Sequence, residues 1–280
     1  MPMEDFRSRR AAFRSLHERG CFVIPNPWDP GSARYLRSLG FPALATTSAG
    51  YAFSRGLPDA DWAVPRDSAL AHIAEMVAAV DLPVSADFES GYGHAPEDVA
   101  ANVKLCVATG VAGLSIEDAT GDHEHPLYDL PLAVERIRAA RAAIDATGED
   151  VLLTARAECY LVGHDEPLKQ SLRRLEAYAD AGADVLYAPG PRERSEIEAI
   201  VRVAGSKPVN LLMSAHTGLT VADVAAMGVR RISVGSSMAR AAWTGLIRSA
   251  KAIADRGSFE GFGDLVPYAE LNGFFRRPPS

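Results

Sequence analysis

The amino-acid sequence predicts an α/β fold, a (β/α)8 barrel of the TIM type, from three observations. Short apolar segments alternate with amphipathic helical stretches throughout the 280 residues, which is the pattern of parallel βαβ units. Eight such units fit the usual length of a barrel. Glycine often stands between a helical stretch and the next apolar segment, where a helix C-terminus favours it. A doubly wound open sheet is the alternative, although it would rarely need eight evenly spaced units.

Eight strands are predicted from short β-branched or apolar runs that are bounded by turn residues. In chain order they lie within residues 21–27, 37–48, 82–88, 107–118, 145–158, 180–190, 207–214 and 225–237. Eight helices are predicted from the amphipathic stretches between and after these strands. They lie near residues 31–40, 66–80, 95–109, 131–147, 166–181, 193–204, 220–227 and 238–256.

The whole chain, residues 1–280, is predicted to be a single barrel domain, because no Pro-, Gly- or Ser-rich linker divides it. Within it, residues 238–280 are predicted to hold the last barrel helix and a C-terminal oligomerisation segment. The end of that segment, GSFEGFGDLVPYAELNGFFRRPPS, is rich in aromatic residues. Its apolar side chains need a surface to cover, and a partner subunit would supply one.

Composition and charge exclude several classes of protein. The chain is 48% hydrophobic and 23% charged, with a formal net charge of −7, which argues against nucleic-acid binding because phosphate recognition needs a basic patch. No apolar run approaches the roughly 20 residues that span a bilayer, and the charged N-terminus lacks the apolar region of a secretory signal. The cysteines Cys21, Cys106 and Cys159 lack zinc or disulfide spacing. We therefore expect a reduced, cytoplasmic protein without nucleic-acid or membrane partners.

Polar residues are concentrated at the predicted C-terminal ends of the strands, where barrel enzymes carry their active sites. The strand bodies, by contrast, are apolar. The strand-end residues are Asn26, Asp29, Thr47, Ser48, Asp87, Glu89, Glu117, Asp118, Arg156, Glu158, Pro189, Asn210, Ser214 and Ser236. This coincidence predicts a functional site at that end of the barrel.

The segment SADFESGYG places two carboxylates, Asp87 and Glu89, at alternate positions of a strand, so we expect both on the same side. Two charges about 4 Å apart repel by about 4 kcal/mol at an effective dielectric of about 20. With Glu117 on the next strand, a cation is needed to offset this repulsion. An all-oxygen cluster suits Mg²⁺ bound through one or two carboxylates with several waters, and Mn²⁺ should substitute. Each carboxylate by itself has a structural alternative, as a helix cap or an ion-pair partner.

Arg156, in the segment TARAE, is the cationic counterpart of these carboxylates. Its guanidinium fork suits a substrate carboxylate or a developing enolate oxygen. The alternative is a structural ion pair with Glu158 or Glu117. Asn210 and Ser214 are further candidate donors for a second carboxylate, and strand-end capping is their alternative.

Other chemistries are disfavoured by the absence of their residues. A Schiff-base barrel needs a lysine in the pocket, but the four lysines fall in helices or before a strand: Lys104, Lys169, Lys207 and Lys251. Neither a GxSxG elbow nor a phosphate-binding loop is present. The histidines His123 and His125 have a His-x-His spacing that could bind a transition metal, but they lie in a polar loop, where solvation is the simpler interpretation.

Several motifs together resemble those of the isocitrate lyase/phosphoenolpyruvate mutase superfamily, and the resemblance covers nearly the whole chain. The motifs are TTSAGYAFSRGLPD, with residues 47–59 in the substrate-loop pattern; SADFESGYG, against a D-x-D-x-G-Y-G pattern; LSIED at 114–118; TARAE at 154–158; AYADAGAD at 177–184; and PVN at 208–210.

The resemblance implies a role for each matching residue. Asp87 is similar to the principal Mg²⁺ carboxylate, whereas Asp59, Glu89 and Glu117 match residues that hold metal-bound waters. The substrate's carboxylate and oxo end would bind at Thr47, Ser48 and Ala49. Arg156, with Glu117, would act at the reacting centre, while Tyr51, Tyr160 and residues 119–129 would face the variable end of the substrate. Members are (β/α)8 barrels, usually homotetramers of two helix-exchanged dimers.

The superfamily's shared chemistry cleaves or forms a C–C or P–C bond next to a carbonyl, with Mg²⁺ stabilising an enolate. The loop after the fourth strand departs from two branches. Its sequence, EDATGDHEHPLYD, lacks the K-K-C-G-H motif of the isocitrate and methylisocitrate lyases, and it lacks the E-D-K pattern of the phosphonomutases. The chain therefore resembles the branch with oxaloacetate decarboxylases and dimethylmalate-type lyases.

The resulting hypothesis is a Mg²⁺-dependent lyase that cleaves a C–C bond, by retro-aldol reaction or decarboxylation, in a small 2-oxo or 2-hydroxy dicarboxylic acid. One alternative is a hydrolase or mutase that acts on the P–C bond of a phosphonopyruvate-like acid. The other is a barrel that binds an oxo acid without turning it over. The loop 119–129 is expected to close over the site and exclude water.

Overall fold

The structure is a computed structural model that describes residues 3–60 and 62–277. Eight parallel strands form one sheet in the order β1-β8-β7-β6-β5-β4-β3-β2. The N–H of Ala45 donates to the carbonyl of Pro25 at 3.0 Å and joins the two remaining edges. The predicted (β/α)8 barrel is confirmed.

Each predicted strand segment contains one strand. The strands are β1 (Phe22–Ile24), β2 (Leu44–Ala45), β3 (Val84–Asp87), β4 (Gly113–Glu117), β5 (Leu152–Arg156), β6 (Val185–Tyr187), β7 (Val209–Leu212) and β8 (Arg231–Ser233). The helices are α1 (Met3–Glu18), α2 (Pro30–Ser38), α3 (Ser48–Ser54), α4 (Arg66–Ala79), α5 (Pro96–Ala108), α6 (Leu130–Asp145), α7 (Pro167–Asp180), α8 (Arg194–Ala204), α9 (Val221–Ala226), α10 (Ser237–Arg256) and α11 (Tyr268–Arg276). A short 3-10 helix spans Glu260–Phe262.

Local sequence signals explain where the barrel helices begin and end. Proline opens α2, α5, α6 and α7, where its missing N–H costs no hydrogen bond. Asp29 and Ser32 form a capping box at the start of α2. Gly110 follows α5 with φ +92°, a left-handed conformation that glycine adopts without strain. These signals account for the agreement, to within about two residues, of the eight predicted helices with the observed ones.

Helix α1 covers the N-terminal end of the barrel and was not predicted. Phe13 is fully buried there, and the ring of His17 packs edge-on against Phe22 with centroids 5.0 Å apart. Arg9 donates to the carbonyls of Val77 and Val80 at the end of α4. Such hydrogen bonds satisfy the unpaired carbonyls of a helix C-terminus. The charged sequence of α1 therefore serves contacts that are distant in the chain.

The C-terminal segment carries many exposed apolar side chains, including Phe259, Leu265 and Tyr268. Helix α11 lies against α2 of the same chain, where the rings of Tyr35 and Phe274 pack with centroids 5.5 Å apart. Exchange of this segment between subunits remains a prediction, and so does the homotetramer. The last residues of the segment, 278–280, lie outside the described residues. None of the helices in the described part of the chain is long and apolar enough to cross a membrane.

Candidate active site

Three neighbouring strands bring the predicted charged residues together at the C-terminal end of the barrel. Asp87 ends β3, Glu117 ends β4 and Arg156 ends β5. Glu117 and Arg156 are paired in register across the two strands. Parallel neighbours lie about 4.8 Å apart, so these side chains meet because the sheet places them side by side.

Arg156 is surrounded by carboxylates. Its Nη1 lies 2.7 Å from Oδ1 of Asp87 and 3.0 Å from Oε2 of Glu117, and its Nε donates to Oε1 of Glu158 at 2.9 Å. Burial opposes the charge of Arg156, but the three carboxylates outweigh it and raise the pKa well above its usual value. The guanidinium carbon also lies 5.3 Å from the ring centroid of Tyr187. Both ion pairs that the sequence left as alternatives, with Glu158 and with Glu117, are present.

The other oxygen of Asp87 is held by the substrate loop. Its Oδ2 accepts hydrogen bonds from the backbone N–H and from the hydroxyl of Ser48, each at 2.9 Å. The Ser48 hydroxyl also lies 3.4 Å from Oδ1 of Asp59. The backbone N–H of Asp87 donates to the hydroxyl of Thr46 at 2.8 Å. Asp87 is therefore fixed between this loop and Arg156.

Glu89 reaches the site in a different way from the one predicted. Strand β3 ends at Asp87, Phe88 is fully buried, and Glu89 has φ +48°. The expectation that strand alternation brings Glu89 beside Asp87 is wrong, because a left-handed turn, and not the pleat, directs its side chain. The Tyr92 hydroxyl donates to Oε1 of Glu89 at 2.7 Å. Asn102 donates to the carbonyls of residues 91 and 92 and holds this turn.

Several carboxyl groups of the site have raised pKa values. Burial, followed by the charges of Asp87 and Asp59, raises the pKa of Glu89 to about 7. Burial also raises the pKa of Asp59, with a further contribution from Asp87. The pKa of Glu117 is raised well above its usual value, mainly by burial. The site thus holds more carboxylates than its arginine can neutralise.

This excess of negative charge suits a bound metal ion. The donors are oxygen atoms only, which suits a hard cation such as Mg²⁺ or Mn²⁺. Among the described residues, no three His, Cys, Asp or Glu side chains are grouped as a ready metal cage. Mg²⁺ usually binds through one or two carboxylates and keeps several waters. The residues therefore fit Mg²⁺ held by few direct ligands.

Two cavities meet at Ser48, Asp59 and Arg156. The inner cavity, of about 160 Å³, extends into the barrel; its polar lining includes Thr46, Ser85, Asp87, Ser115, Tyr187, Asn210, Arg231 and Ser233. The outer cavity, of about 420 Å³, opens toward the loops; its lining includes Trp62, Glu89, Glu117, residues 119–123, Leu161 and Val162. The sequence missed Ser85, Ser115, Tyr187 and Arg231, although their alternation along β3, β4, β6 and β8 identifies them as inward-facing.

The other predicted substrate residues are divided between these spaces. Thr47, Ser48 and Ala49 line the inner cavity, while the Thr47 side chain also caps α3. Tyr51 lines neither cavity; its ring stacks on His72 with centroids 3.8 Å apart, and it borders only a small space beside Asp87 and Glu89.

Asn210 lines the inner cavity but is already hydrogen-bonded. Its amide donates to the hydroxyl of Ser233 at 2.9 Å and its Oδ1 accepts from Nε of Arg231 at 2.8 Å. Asn210 thus lies deep in the site and belongs to a polar network.

Tyr160, which was predicted to face the variable end of the substrate, donates a hydrogen bond to Glu196 at 2.9 Å.

Other strand-end residues have structural partners. Asp118 is buried and accepts hydrogen bonds from Arg174, from the Tyr178 hydroxyl and from the backbone N–H of Glu158. Asn26 bridges the ends of β1 and β8 through the N–H groups of residues 234 and 235. Asp29 caps α2, Ser236 lines the inner cavity, and Pro189 is buried. The Ser214 carbonyl accepts a hydrogen bond from the Ser237 hydroxyl.

The fold and the charged strand ends define the class of protein: a (β/α)8 barrel with an acidic candidate active site at the C-terminal ends of its strands. The chain belongs to the phosphoenolpyruvate phosphomutase family, whose sequence model matches residues 13–254. The resemblance to the isocitrate lyase/phosphoenolpyruvate mutase superfamily is thereby confirmed.

Two relatives and two solved structures show the range of this similarity. An uncharacterised protein of Mycobacterium tuberculosis is 34% identical over 93% of this chain and 94% of its own. An oxaloacetate decarboxylase of Bradyrhizobium diazoefficiens is 32% identical over 70% of this chain and 68% of its own. A Burkholderia cenocepacia structure with the provisional description lyase/mutase is 48% identical, covers 98% of both chains and has a TM-score of 0.93. A phosphonopyruvate hydrolase in complex with oxalate and Mg²⁺ is 26% identical over 97% of this chain and 96% of its own, with a TM-score of 0.81.

Proposed function

We propose that the protein is a Mg²⁺-dependent lyase that cleaves a C–C bond in a small 2-oxo or 2-hydroxy dicarboxylic acid, by retro-aldol reaction or decarboxylation, through an enolate. The observation that carries this proposal is the cluster of Asp87, Glu117 and Glu158 around Arg156 at the ends of adjacent strands. An excess of buried carboxylates is costly unless a cation offsets it.

Asp87 is proposed as the direct ligand of Mg²⁺, and Asp59, Glu89 and Glu117 as the residues that hold its waters. Mn²⁺ is expected to substitute, because carboxylate and water ligands suit it. Mg²⁺, when bound, supplies positive charge beside the oxygens where negative charge develops. The Mg²⁺ complex of the related phosphonopyruvate hydrolase supports the choice of Mg²⁺ as the metal.

The chain's own residues bind the substrate and stabilise its charge. Thr47, Ser48 and Ala49 lie beside Asp87 in the inner cavity and would contact the carboxylate and oxo end. Arg156 remains protonated, because its high pKa keeps the charge, and it would donate to the oxygen that becomes negative as the bond breaks. Residues 120–123 line the outer cavity, and closure of their loop would exclude water.

One competing function has a specific observation in its favour. The matching family is that of phosphoenolpyruvate phosphomutase, and one structural relative is a phosphonopyruvate hydrolase. Cleavage of a P–C bond would use the same end of the site. Because the loop EDATGDHEHPLYD lacks the phosphonomutase pattern, we propose C–C cleavage and not P–C cleavage as the reaction.

Product analysis tests the proposal. Purified protein with Mg²⁺ is offered oxaloacetate, 2,3-dimethylmalate, 2-methylisocitrate and phosphonopyruvate, while oxo-acid product and phosphate are measured against enzyme-free blanks. An oxo acid released from a carbon acid supports the lyase, and phosphate release supports P–C cleavage. Binding without any product favours the non-catalytic barrel and contradicts the proposal.

The site assignment needs a matched pair of variants. Asp87→Asn is expected to lower kcat by at least about 100-fold and to abolish its dependence on Mg²⁺. Asp180→Asn, at the exposed end of α7, makes the same chemical change far from the cavities and should retain activity. If Asp87→Asn kept its activity and its Mg²⁺ dependence, the ligand assignment would be wrong.

A further inference from the structure

Arg231 is a buried arginine inside the barrel, below the charged cluster. It begins β8 and is only 5% exposed. Its Nε donates to Oδ1 of Asn210 at 2.8 Å and its Nη2 donates to the hydroxyl of Thr154 at 3.0 Å. The third contact joins Nη1 to Nε2 of His17 at 3.4 Å. In the part of the chain that the structure describes, Arg231 forms no ion pair with a carboxylate.

The neighbours of Arg231 are neutral. Nδ1 of His17 lies 2.8 Å from the carbonyl of Phe13, and burial lowers the pKa of His17 to about 3. The histidine is therefore uncharged, donates from Nδ1 and presents the lone pair of Nε2 to Arg231. Asn210 and Thr154 also contribute dipoles only. A buried charge is normally paired. Among the described residues, Arg231 is an exception, because none of its hydrogen-bond partners is an anion.

A second buried arginine shows how such a charge can serve structure alone. Arg136 is 1% exposed and donates to the carbonyls of Ser90, Gly93 and His94. It also lies over the ring of Tyr128, at 3.9 Å from the centroid. Arg136 lines neither the inner nor the outer cavity. Arg231 differs because it lines the inner cavity.

The inner cavity connects Arg231 with the proposed reacting end of the site. Its wall includes both Arg156 and Arg231, together with the residues Ser85, Ser115 and Ser233. Thr154, which binds Arg231, precedes Arg156 by two residues on β5, which is about 6.6 Å of strand. A dicarboxylic acid of about four to six carbon atoms can span such a distance. A volume of about 160 Å³ also holds several waters or one small acid.

We propose that Arg231 binds the second carboxylate of the substrate, at the floor of the inner cavity. The acid would lie along the barrel, with its oxo end at Asp87 and Arg156 and its far carboxylate at Arg231 and Ser233. This inference rests on the proposed function and narrows it to dianionic acids that are long enough to reach the floor.

Calorimetric titration of the Mg²⁺-loaded protein tests this with two acids of equal chain length. The acid 2-oxoglutarate carries a far carboxylate, whereas 2-oxopentanoate has a methyl group in its place. Wild-type protein is expected to bind 2-oxoglutarate about 10- to 100-fold more tightly, as a charge-assisted hydrogen bond implies. Equal affinities in the wild type would overturn the proposal without any variant.

Variants then assign the preference to Arg231. Arg231→Met should bind the two acids with equal affinity. Its affinity for oxalate, which is too short to reach Arg231 from the proposed Mg²⁺ site, should change by less than about threefold. Arg231→Lys should retain part of the preference, because the charge remains. In the control Arg136→Met, folding stability should fall but the preference should persist. An undiminished preference in Arg231→Met would refute the role of this residue.

Two further results separate this inference from the proposed function. A preference for 2-oxoglutarate that depends on Arg231 supports the floor site, even if no substrate is turned over and the lyase proposal fails. The opposite result is binding of inorganic phosphate that depends on Arg231, together with equal affinities for the two acids. It would mean that the floor of the inner cavity binds a free anion instead of the substrate's carboxylate, and it would overturn the inference.

Discussion

Glu89→Gln should remove a specific pH dependence of stability from the metal-free protein. Burial and the neighbouring carboxylates raise the pKa of Glu89 from 4.5 to about 7. Between these two pH values the folded protein keeps a proton that the unfolded chain has released. The unfolded chain then binds fewer protons than the folded protein, so the free energy of unfolding falls as pH rises from 4.5. The contribution of Glu89 to that free energy is lowest above pH 7.

The size of the effect follows from the pKa change. Each pH unit between 4.5 and 7 lowers the free energy of unfolding by about 1.4 kcal/mol, so the Glu89 contribution is at most about 3.5 kcal/mol. Partial contact with water reduces it. Glutamine remains neutral at every pH, and its carbonyl oxygen can still accept the hydrogen bond that Tyr92 donates to Glu89. The variant should therefore be more stable than the wild type at pH 8, by up to about 3 kcal/mol, and similar to it near pH 4.5.

Urea unfolding followed by circular dichroism, in buffers with EDTA from pH 4.5 to 8, measures this difference. Glu176→Gln, at an exposed position of α7, is the matched control and should follow the wild type at every pH. A difference between wild type and Glu89→Gln that stayed constant from pH 4.5 to 8 would refute the reasoning. Saturating Mg²⁺ at pH 8 should reduce the difference, because a bound cation offsets the ionised carboxylate.

Three further substitutions have defined expectations. Tyr178→Phe removes a hydrogen bond to buried Asp118 and should lower the free energy of unfolding by about 1–3 kcal/mol, with kcat nearly unchanged; a large loss of kcat would contradict a purely structural role. Arg156→Gln leaves three carboxylates without their cation. In metal-free protein it should lower the free energy of unfolding by about 3–5 kcal/mol at pH 8, and by less at pH 5, which thermal melts can measure. Gly91→Ala places a Cβ at φ +83°, 3.1 Å from Val99, and should cost about 1–3 kcal/mol; an unchanged melting temperature would exclude the strain.

The sequence predicted the barrel because its signals are local. Apolar runs, amphipathic stretches and helix-ending glycines each depend on neighbours within a few residues. Once the strands are known, the barrel itself places Asp87, Glu117 and Arg156 at one end. The strand-end cluster could therefore be predicted from the topology without any knowledge of side-chain contacts.

Helix α1 escaped prediction because its meaning is not local. Arg9 and Arg10 are typical of an exposed charged segment in the sequence, but they bind the carbonyls of Val77 and Val107, about seventy to one hundred residues away. Only the folded barrel presents those helix ends to them.

By itself, the sequence determined the fold, the family and the presence of an acidic site with one arginine, because periodicity and motifs depend on neighbouring residues. The tertiary structure decided how the charges are used. Glu89 reaches the cavity through a left-handed turn that Asn102 holds. Arg231 is a buried arginine that lines the inner cavity and has no acidic partner among the residues that the structure describes. The physical reason is that pKa values, ion pairing and cavity shape depend on groups that are distant in the chain and that only folding brings together.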